Sequence, residues 1–260
     1  MIYVESEHGP GTVGISCGEL ARYTEFGAHF ERLQVPERCA PEIPAYGIGY
    51  DTASNSNDII RQMLPHHEWV FILDDDHTFK SDLLLKLLDR SVDCIVPLYM
   101  QRKAPFWPVA YSVRNPDGAC THVTFEDMEG KTGILPIVSA GKSGVLIRRP
   151  VLAKLAGGDC VCPAPDEGER RQHDAQCAWQ TATWFEHLGR IGEDHTFFDR
   201  VLKAGFQLFC DLDNWMEHLT TFKVRPYREP TTGKWCAEVH LYNEVNMKLW
   251  VQNTPDTGGA

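Results

Sequence analysis

Apolar positions along the chain follow two alternating rhythms. Thr12 to Ser16 is a short β-like run that ends at Cys17-Gly18. From Glu19 to Leu33 the spacing becomes helical, with Leu20, Tyr23, Phe26 and Phe30 three or four residues apart. Tyr46 to Tyr50 reads as a second strand, and Ser54 to Asp58 offers helix-capping side chains before Ile59, Ile60 and Met63. Glu68 to Leu73 is a third strand. Its consecutive apolar residues predict a strand covered on both faces. Ser81 is placed to cap a helix whose Leu84, Leu87 and Leu88 share a face, and Asp93 to Val96 is a fourth strand. This alternation predicts an α/β fold with a mostly parallel, right-handed central sheet flanked by helices.

The rhythm then changes. Val109, Tyr111 and Val113 alternate up to Asn115-Pro116-Asp117-Gly118, a strong turn signal, and Val123 and Phe125 resume the alternation. An antiparallel excursion is predicted there. Val145-Leu146-Ile147 returns to a strand, and Pro150 sits where a helix can open. Gly157 to Gln176, with its prolines, glycines and charge run, reads as a loop. Phe197, Phe198, Val201 and Leu202 mark a helix that Gly205 is placed to end. Phe206, Leu208, Cys210 and Leu212 then alternate as a strand, and residues 253–260 read as a frayed tail.

At 260 residues, one α/β domain accommodates all of this. Its first 110 residues carry the strand-helix repeats, and residues 111–252 the remainder. The longest unbroken apolar run, Trp69 to Leu73, is far too short to cross a bilayer. The acidic start of the chain lacks the apolar core of a signal peptide, so a cytoplasmic protein is expected. A net charge of −11 disfavours generic binding to nucleic acid or anionic membrane. The nine cysteines are scattered, as expected of reduced thiols. Cys160, Cys162, His173 and Cys177 stand apart as a cluster of soft ligands that fits either a zinc site or a plain exposed loop.

Three features carry chemistry. Asp74-Asp75-Asp76 follows directly on the apolar strand. In parallel sheets ligands gather at the carboxyl ends of strands. Adjacent carboxylates repel, and a hard divalent cation relieves the repulsion. Strand alternation sends Asp74 and Asp76 to one side and Asp75 to the other. The bland alternative is a solvated acidic turn. Glu193 and Asp194 lie at the start of a helix. Asp194 is there either an N-cap or a general base. The helix N-terminus favours its ionised form, so burial or neighbouring acids would have to restore basicity. His218 follows the Phe206–Leu212 alternation and becomes a candidate metal ligand in company with the acid trio.

Taken in order, these motifs resemble a metal-dependent glycosyltransferase of the GT-A fold, closest to the inverting family 2 class and its phage and bacterial relatives. Asp74-Asp75-Asp76 matches the D-x-D motif, Glu193-Asp194 the later "ED", and Ala204-Gly205-Phe206 the turn that leads to a metal-binding histidine, here His218. Ser139 to Arg149, with Gly141 and Gly144, is similar to the glycine-containing strand beside the donor sugar. Ser16-Cys17-Gly18-Glu19 and Ser56-Asn57 depart from the family's pattern at the nucleobase.

The resemblance implies an enzyme that transfers a sugar from a nucleotide-diphosphate sugar to an acceptor hydroxyl. Asp76 and His218, assisted by Asp74, would hold Mn²⁺ or Mg²⁺. Asp194 would be the general base, and Glu193 would bind sugar or acceptor. Asp51, Asn57 and Asp75 would lie near the nucleotide, with Gly141 and Gly144 beside the sugar. If Arg102, Lys103, Arg148, Arg149, Arg170, Arg171, Lys223, Arg225 and Arg228 converged beside Asp194, a hydroxymethylated pyrimidine in phage-type DNA would be a credible acceptor. Otherwise a saccharide or protein hydroxyl is favoured. Trp107, Trp179, Trp184 and Trp215 are either stacking platforms or core.

Two rivals remain. Asp74-x-Asp76-x-Thr78 also fits a haloacid-dehalogenase-like phosphatase, with Asp74 as nucleophile and Asp76 as acid/base. A non-catalytic sugar- or metal-binding module would use the same residues without turnover.

Overall fold

The computed structural model describes residues 1–17, 24–39, 45–49, 51–116, 118–164, 173–189, 191–220, 223–241 and 244–249. The fold is mixed α/β. Among the described residues, eleven strands join one sheet. Its central order is Ala45–Ile48, Gly11–Cys17, Trp69–Asp74, Val145–Arg148, Cys94–Leu98 and Leu208–His218. The first three are parallel to one another, and Leu208–His218 is parallel to Cys94–Leu98. Val145–Arg148 runs antiparallel between Trp69–Asp74 and Cys94–Leu98. Residues 1–110 and 111–252 therefore interleave in one sheet. The antiparallel strand comes from the second stretch and sits between two strands of the first.

The apolar run at residues 69–73 follows from cover on both faces. Val70 and Ile72 join the core with Ile59 and Ile60, Val151 and Leu152, and Phe197 and Phe198. Trp69, Phe71 and Leu73 join the opposite core with Phe26, Leu84, Leu87 and Leu88. Helices thus seal both sides of the central strand, and a polar residue would be buried at every position along it. Trp179 and Trp184 are fully buried, with ring centroids 5.2 Å apart, so both are core. Trp215 lies beneath Lys80 and Arg225.

Several boundaries differ from the sequence reading. The second helix spans Thr52–Arg61, one turn earlier than expected, because Asp51 caps it through the backbone N–H groups of Ala53 and Ser54. Helix Leu83–Asp89 has Asp82 rather than Ser81 at its N-cap position. The excursion forms as an antiparallel pair, Ala110–Arg114 with Cys120–His122. Phe125 does not extend it. Thr124 and Asp127 close a reciprocal capping box, which turns Phe125–Met128 into a helical turn. Of the first predicted helix, Thr24–Phe30 is helical, and residues 18–23 lie outside the described residues. Pro150 opens helix Arg149–Ala156, and Gly205, at φ +93°, follows the end of helix Glu193–Lys203. No helix among the described residues is long and apolar enough to cross a membrane.

Gly144 is fixed by packing. Its φ is +71°, and a Cβ there would stand 2.6 Å from Pro97 Cγ and 2.9 Å from the Met216 thioether. Gly144→Ala is expected to destabilise the fold by about 2 kcal/mol or more. A thermal melt should show this as a Tm at least about 4 °C lower.

Candidate active site

The carboxyl end of the central strand opens into a cavity of about 390 Å³. Asp74 and Asp76, His77, Gly141 and Lys142, Glu193 and Asp194, and His218 all line it. These residues come from four separate parts of the chain. The strand ends at Asp74, a two-residue turn follows, and His77–Phe79 starts a short strand. That strand pairs antiparallel with the end of Leu208–His218, in a register that sets His77 directly opposite His218. Cross-strand pairing accounts for the stacked rings, whose centroids are 4.2 Å apart.

Asp76 is buried between these two imidazoles. Its Oδ1 lies 2.7 Å from His77 Nδ1, and its Oδ2 lies 3.5 Å from His218 Nε2 and 3.2 Å from an Arg102 nitrogen. Despite the short distance to His77, Asp76 Oδ1 has no hydrogen bond of acceptable geometry among the described residues, and neither does the buried His77 Nε2. We read the His77 contact as charge proximity, since His77 Nδ1 already meets Ser143 Oγ at 3.1 Å. Burial alone would raise the Asp76 carboxyl. The neighbouring imidazoles of His218 and His77 outweigh burial and hold it well below the usual carboxylate range. His218 Nδ1 donates to the Met100 carbonyl at 3.0 Å, and its Nε2 faces Asp76 Oδ2. The ligand atoms of Asp76, His77 and His218 all lie within 4.8 Å of one another.

Asp74 is engaged differently. Its Oδ1 meets Lys142 Nζ, and its backbone N–H donates to Ser143 Oγ at 3.1 Å. Lys142 is buried. Desolvation opposes its charge, but the Asp74 carboxylate, with Glu193 and Asp194 beyond it, keeps its pKa raised. Lys142 therefore bridges the strand-end acids and the helix-start acids. Asp75 is buried and turned from the cavity; its charge acts on Cys17, at the end of the neighbouring strand.

At the helix start, the N-cap position belongs to Gly192 and carries no side-chain cap bond. Asp194 is thus not the cap. Its Oδ1 accepts the His195 backbone N–H at 2.7 Å. Burial, helped by the like charge of Glu193, raises its pKa against the lowering pull of His195 and Lys142. Basicity is restored by the two influences the helix position required. Glu193 accepts from Thr52 Oγ1 and faces His187 Nδ1 at 3.5 Å.

Two expected nucleotide contacts have other tasks. Asp51 caps its helix and is not part of the cavity wall. Asn57 is buried. Its Oδ1 accepts from the Trp184 and Phe185 backbone N–H groups, and its Nδ2 donates to the Phe185 carbonyl. Those bonds commit the amide to clamping a loop, so nucleotide binding by Asn57 is not retained. Gly141 lines the cavity, and a Cβ there would meet Tyr99 Oη at 2.1 Å. Gly144 serves strand packing instead. Of the described basic residues in the proposed patch, only Arg102 and Lys103 line the cavity. Arg149 binds Asp159 and the carbonyls of Leu64, His67 and Cys160. Arg170 and Arg171 lie outside the described residues.

His77, Tyr99, Gln101 and Thr52 line the cavity without having been singled out in the sequence. His77 directly follows the acid trio, and that adjacency was the only available signal. The others depend on chain crossings that no local pattern encodes.

No known family model matches the chain, and no curated protein matches it. Among solved structures it is similar to the crystal structure of A197 from STIV, at 12% identity and a TM-score of 0.47, over 91% of this chain and 97% of that chain. A likeness at that level transfers no activity.

Proposed function

We propose that the protein is a metal-dependent glycosyltransferase that moves a sugar from a nucleotide-diphosphate sugar to an acceptor hydroxyl with inversion. The observation that carries this reading is the convergence of Asp74, Asp76, His218, Glu193 and Asp194 on one cavity at the carboxyl end of the central strand. Within the mixed sheet, the six central strands run one way apart from the antiparallel Val145–Arg148, and that centre supports a GT-A-like arrangement.

The donor set suits a divalent cation. It has a buried carboxylate oxygen lacking a hydrogen bond and an imidazole Nε2 freed by the Met100 carbonyl. Asp76 and His218 would hold Mn²⁺ or Mg²⁺, with His77 and Asp74 beside them. The second imidazole favours Mn²⁺. When bound, the cation neutralises charge on the diphosphate leaving group. Lys142 and Arg102 add fixed positive charge on the same wall. Asp194, kept basic by burial, takes the proton from the acceptor hydroxyl as the oxygen attacks the anomeric carbon. Glu193, anchored by Thr52, orients sugar or acceptor. Because only Arg102 and Lys103 among the described residues of that basic set line the cavity with Asp194, a saccharide or protein hydroxyl is the favoured acceptor over modified DNA.

The Asp74–Lys142 contact also suits the phosphatase alternative, which pairs a nucleophilic aspartate with a lysine. That chemistry needs Asp76 to give up a proton, whereas the two neighbouring imidazoles lower its pKa against the burial that would raise it. The test is a donor screen with Mn²⁺ and a panel of nucleotide-sugars, reading release of nucleoside diphosphate. One donor should be hydrolysed slowly and lose that turnover in EDTA. A phosphoryl-enzyme formed from a phosphate ester, with no nucleotide-sugar consumed, would decide for the phosphatase.

A further inference from the structure

A second set of ligating side chains lies outside this cavity. Cys160, Cys162, His173 and Cys177 bring three thiol sulfurs and one imidazole nitrogen within 4.8 Å of one another. His173 Nδ1 stands 3.3 Å from Cys160 Sγ and 3.7 Å from Cys177 Sγ. Tetrahedral zinc, with Zn–S of about 2.3 Å and Zn–N of about 2.0–2.1 Å, has an S···N edge of roughly 3.5 Å. The two observed distances bracket that edge.

The surroundings suit a metal as well as the spacing does. His173 Nε2 lies 2.9 Å from the Arg61 carbonyl at the end of helix Thr52–Arg61. A carbonyl only accepts, so the proton sits on Nε2 and the Nδ1 lone pair points at the thiols. The Asp174 backbone N–H donates to Cys162 Sγ at 3.4 Å, a bond that strengthens when the sulfur is a thiolate. Cys162 Sγ also stands 3.7 Å from Asp174 Oδ2, a contact only the protonated thiol favours. No two cysteines among the described residues are joined in a disulfide. Apolar packing explains a buried cysteine, but it does not explain three thiols gathered around an imidazole whose far nitrogen is tied to a carbonyl.

We infer that Cys160, Cys162, His173 and Cys177 form a structural zinc site, separate from the divalent site of the cavity. Soft thiolates select zinc over manganese or magnesium. Binding ionises the three thiols, releases their protons and takes the imidazole neutral. All four positions are filled by protein, as in a structural rather than a catalytic site. The metal would close the loop predicted over residues 157–176 and fix it to the end of helix Thr52–Arg61. The chain just beyond it, at Ala182 to Phe185, is held by Arg61 and Asn57 and leads to His187 and Glu193. The zinc site therefore anchors the segment that delivers the helix-start acids.

The test is metal content and spectrum, independent of any activity. The full chain, expressed with zinc and purified under reducing conditions, should hold about one zinc per chain by elemental analysis. Stripped and refilled with Co²⁺, it should show thiolate-to-cobalt charge transfer and tetrahedral ligand-field bands. Cys177→Ser should weaken both and lower Tm by more than about 5 °C. Cys120→Ser, away from the cluster, should change neither. Wild-type protein with no zinc and no cobalt charge transfer would overturn the site, whatever the variants do. Zinc that disappears with Asp76→Asn but not with Cys177→Ser would overturn it too.

Discussion

Replacing Asp76 with alanine or asparagine is expected to abolish cation-dependent turnover, lowering kcat/KM by about 10³-fold or more. Among the described residues, Asp76 is the carboxylate that stands within 4 Å of both imidazoles, and its Oδ1 is a buried oxygen without a hydrogen bond. Alanine removes the negative charge at the centre of the cluster and leaves His77 and His218 with each other, 4.2 Å apart and like-charged when protonated. Asparagine keeps the shape and removes only the charge, so it separates loss of cation binding from loss of fold. Mn²⁺ binding followed by electron paramagnetic resonance should fall with both variants, while the thermal melt of Asp76→Asn stays cooperative. Turnover within tenfold of wild type in Asp76→Asn would remove Asp76 from the site.

The acid trio was legible because a buried strand makes an unusual background. Five apolar residues sealed by helices on both faces cannot run into three carboxylates unless the chain is leaving the core toward solvent or a ligand. The same reasoning marked Glu193 and Asp194, since acids at a helix start are common but seldom precede two inward phenylalanines with a glycine before them. His218 was legible only through its order in the chain. Its distance from Asp76 is set by pairing between His77–Phe79 and a strand that begins some 130 residues later, a register no local pattern encodes. Asn57 misled for a related reason. A buried amide on a helix face suits a ligand or a neighbouring backbone equally well, and here the Trp184–Phe185 backbone takes it. Lys142 was a loose fit for the lysine of the phosphatase alternative, and nothing local named its partner; the antiparallel strand after it carries its ammonium to Asp74.

Asp194→Asn is expected to lower kcat by about 10²- to 10⁴-fold while donor and Mn²⁺ binding change little, the mark of a residue that acts on the proton rather than on the leaving group. The acid limb of the wild-type pH–rate profile provides a second check. Burial and Glu193 raise the Asp194 pKa, so activity should rise with pH through an apparent value above the ordinary carboxylate range. That limb should vanish in the residual activity of the asparagine variant. The same shift has a consequence for stability. A carboxyl whose folded-state pKa is raised favours the fold when protonated and loses that contribution as pH climbs through the folded-state value. Asparagine has no charge to desolvate at that buried position, so Asp194→Asn should be at least as stable as wild type. A variant that is inactive, still binds donor and melts no lower than its parent would identify Asp194 as a group kept for chemistry at the expense of the fold. An asparagine variant with unchanged kcat would assign the proton to another group, with Glu193 the nearest carboxylate in the chain.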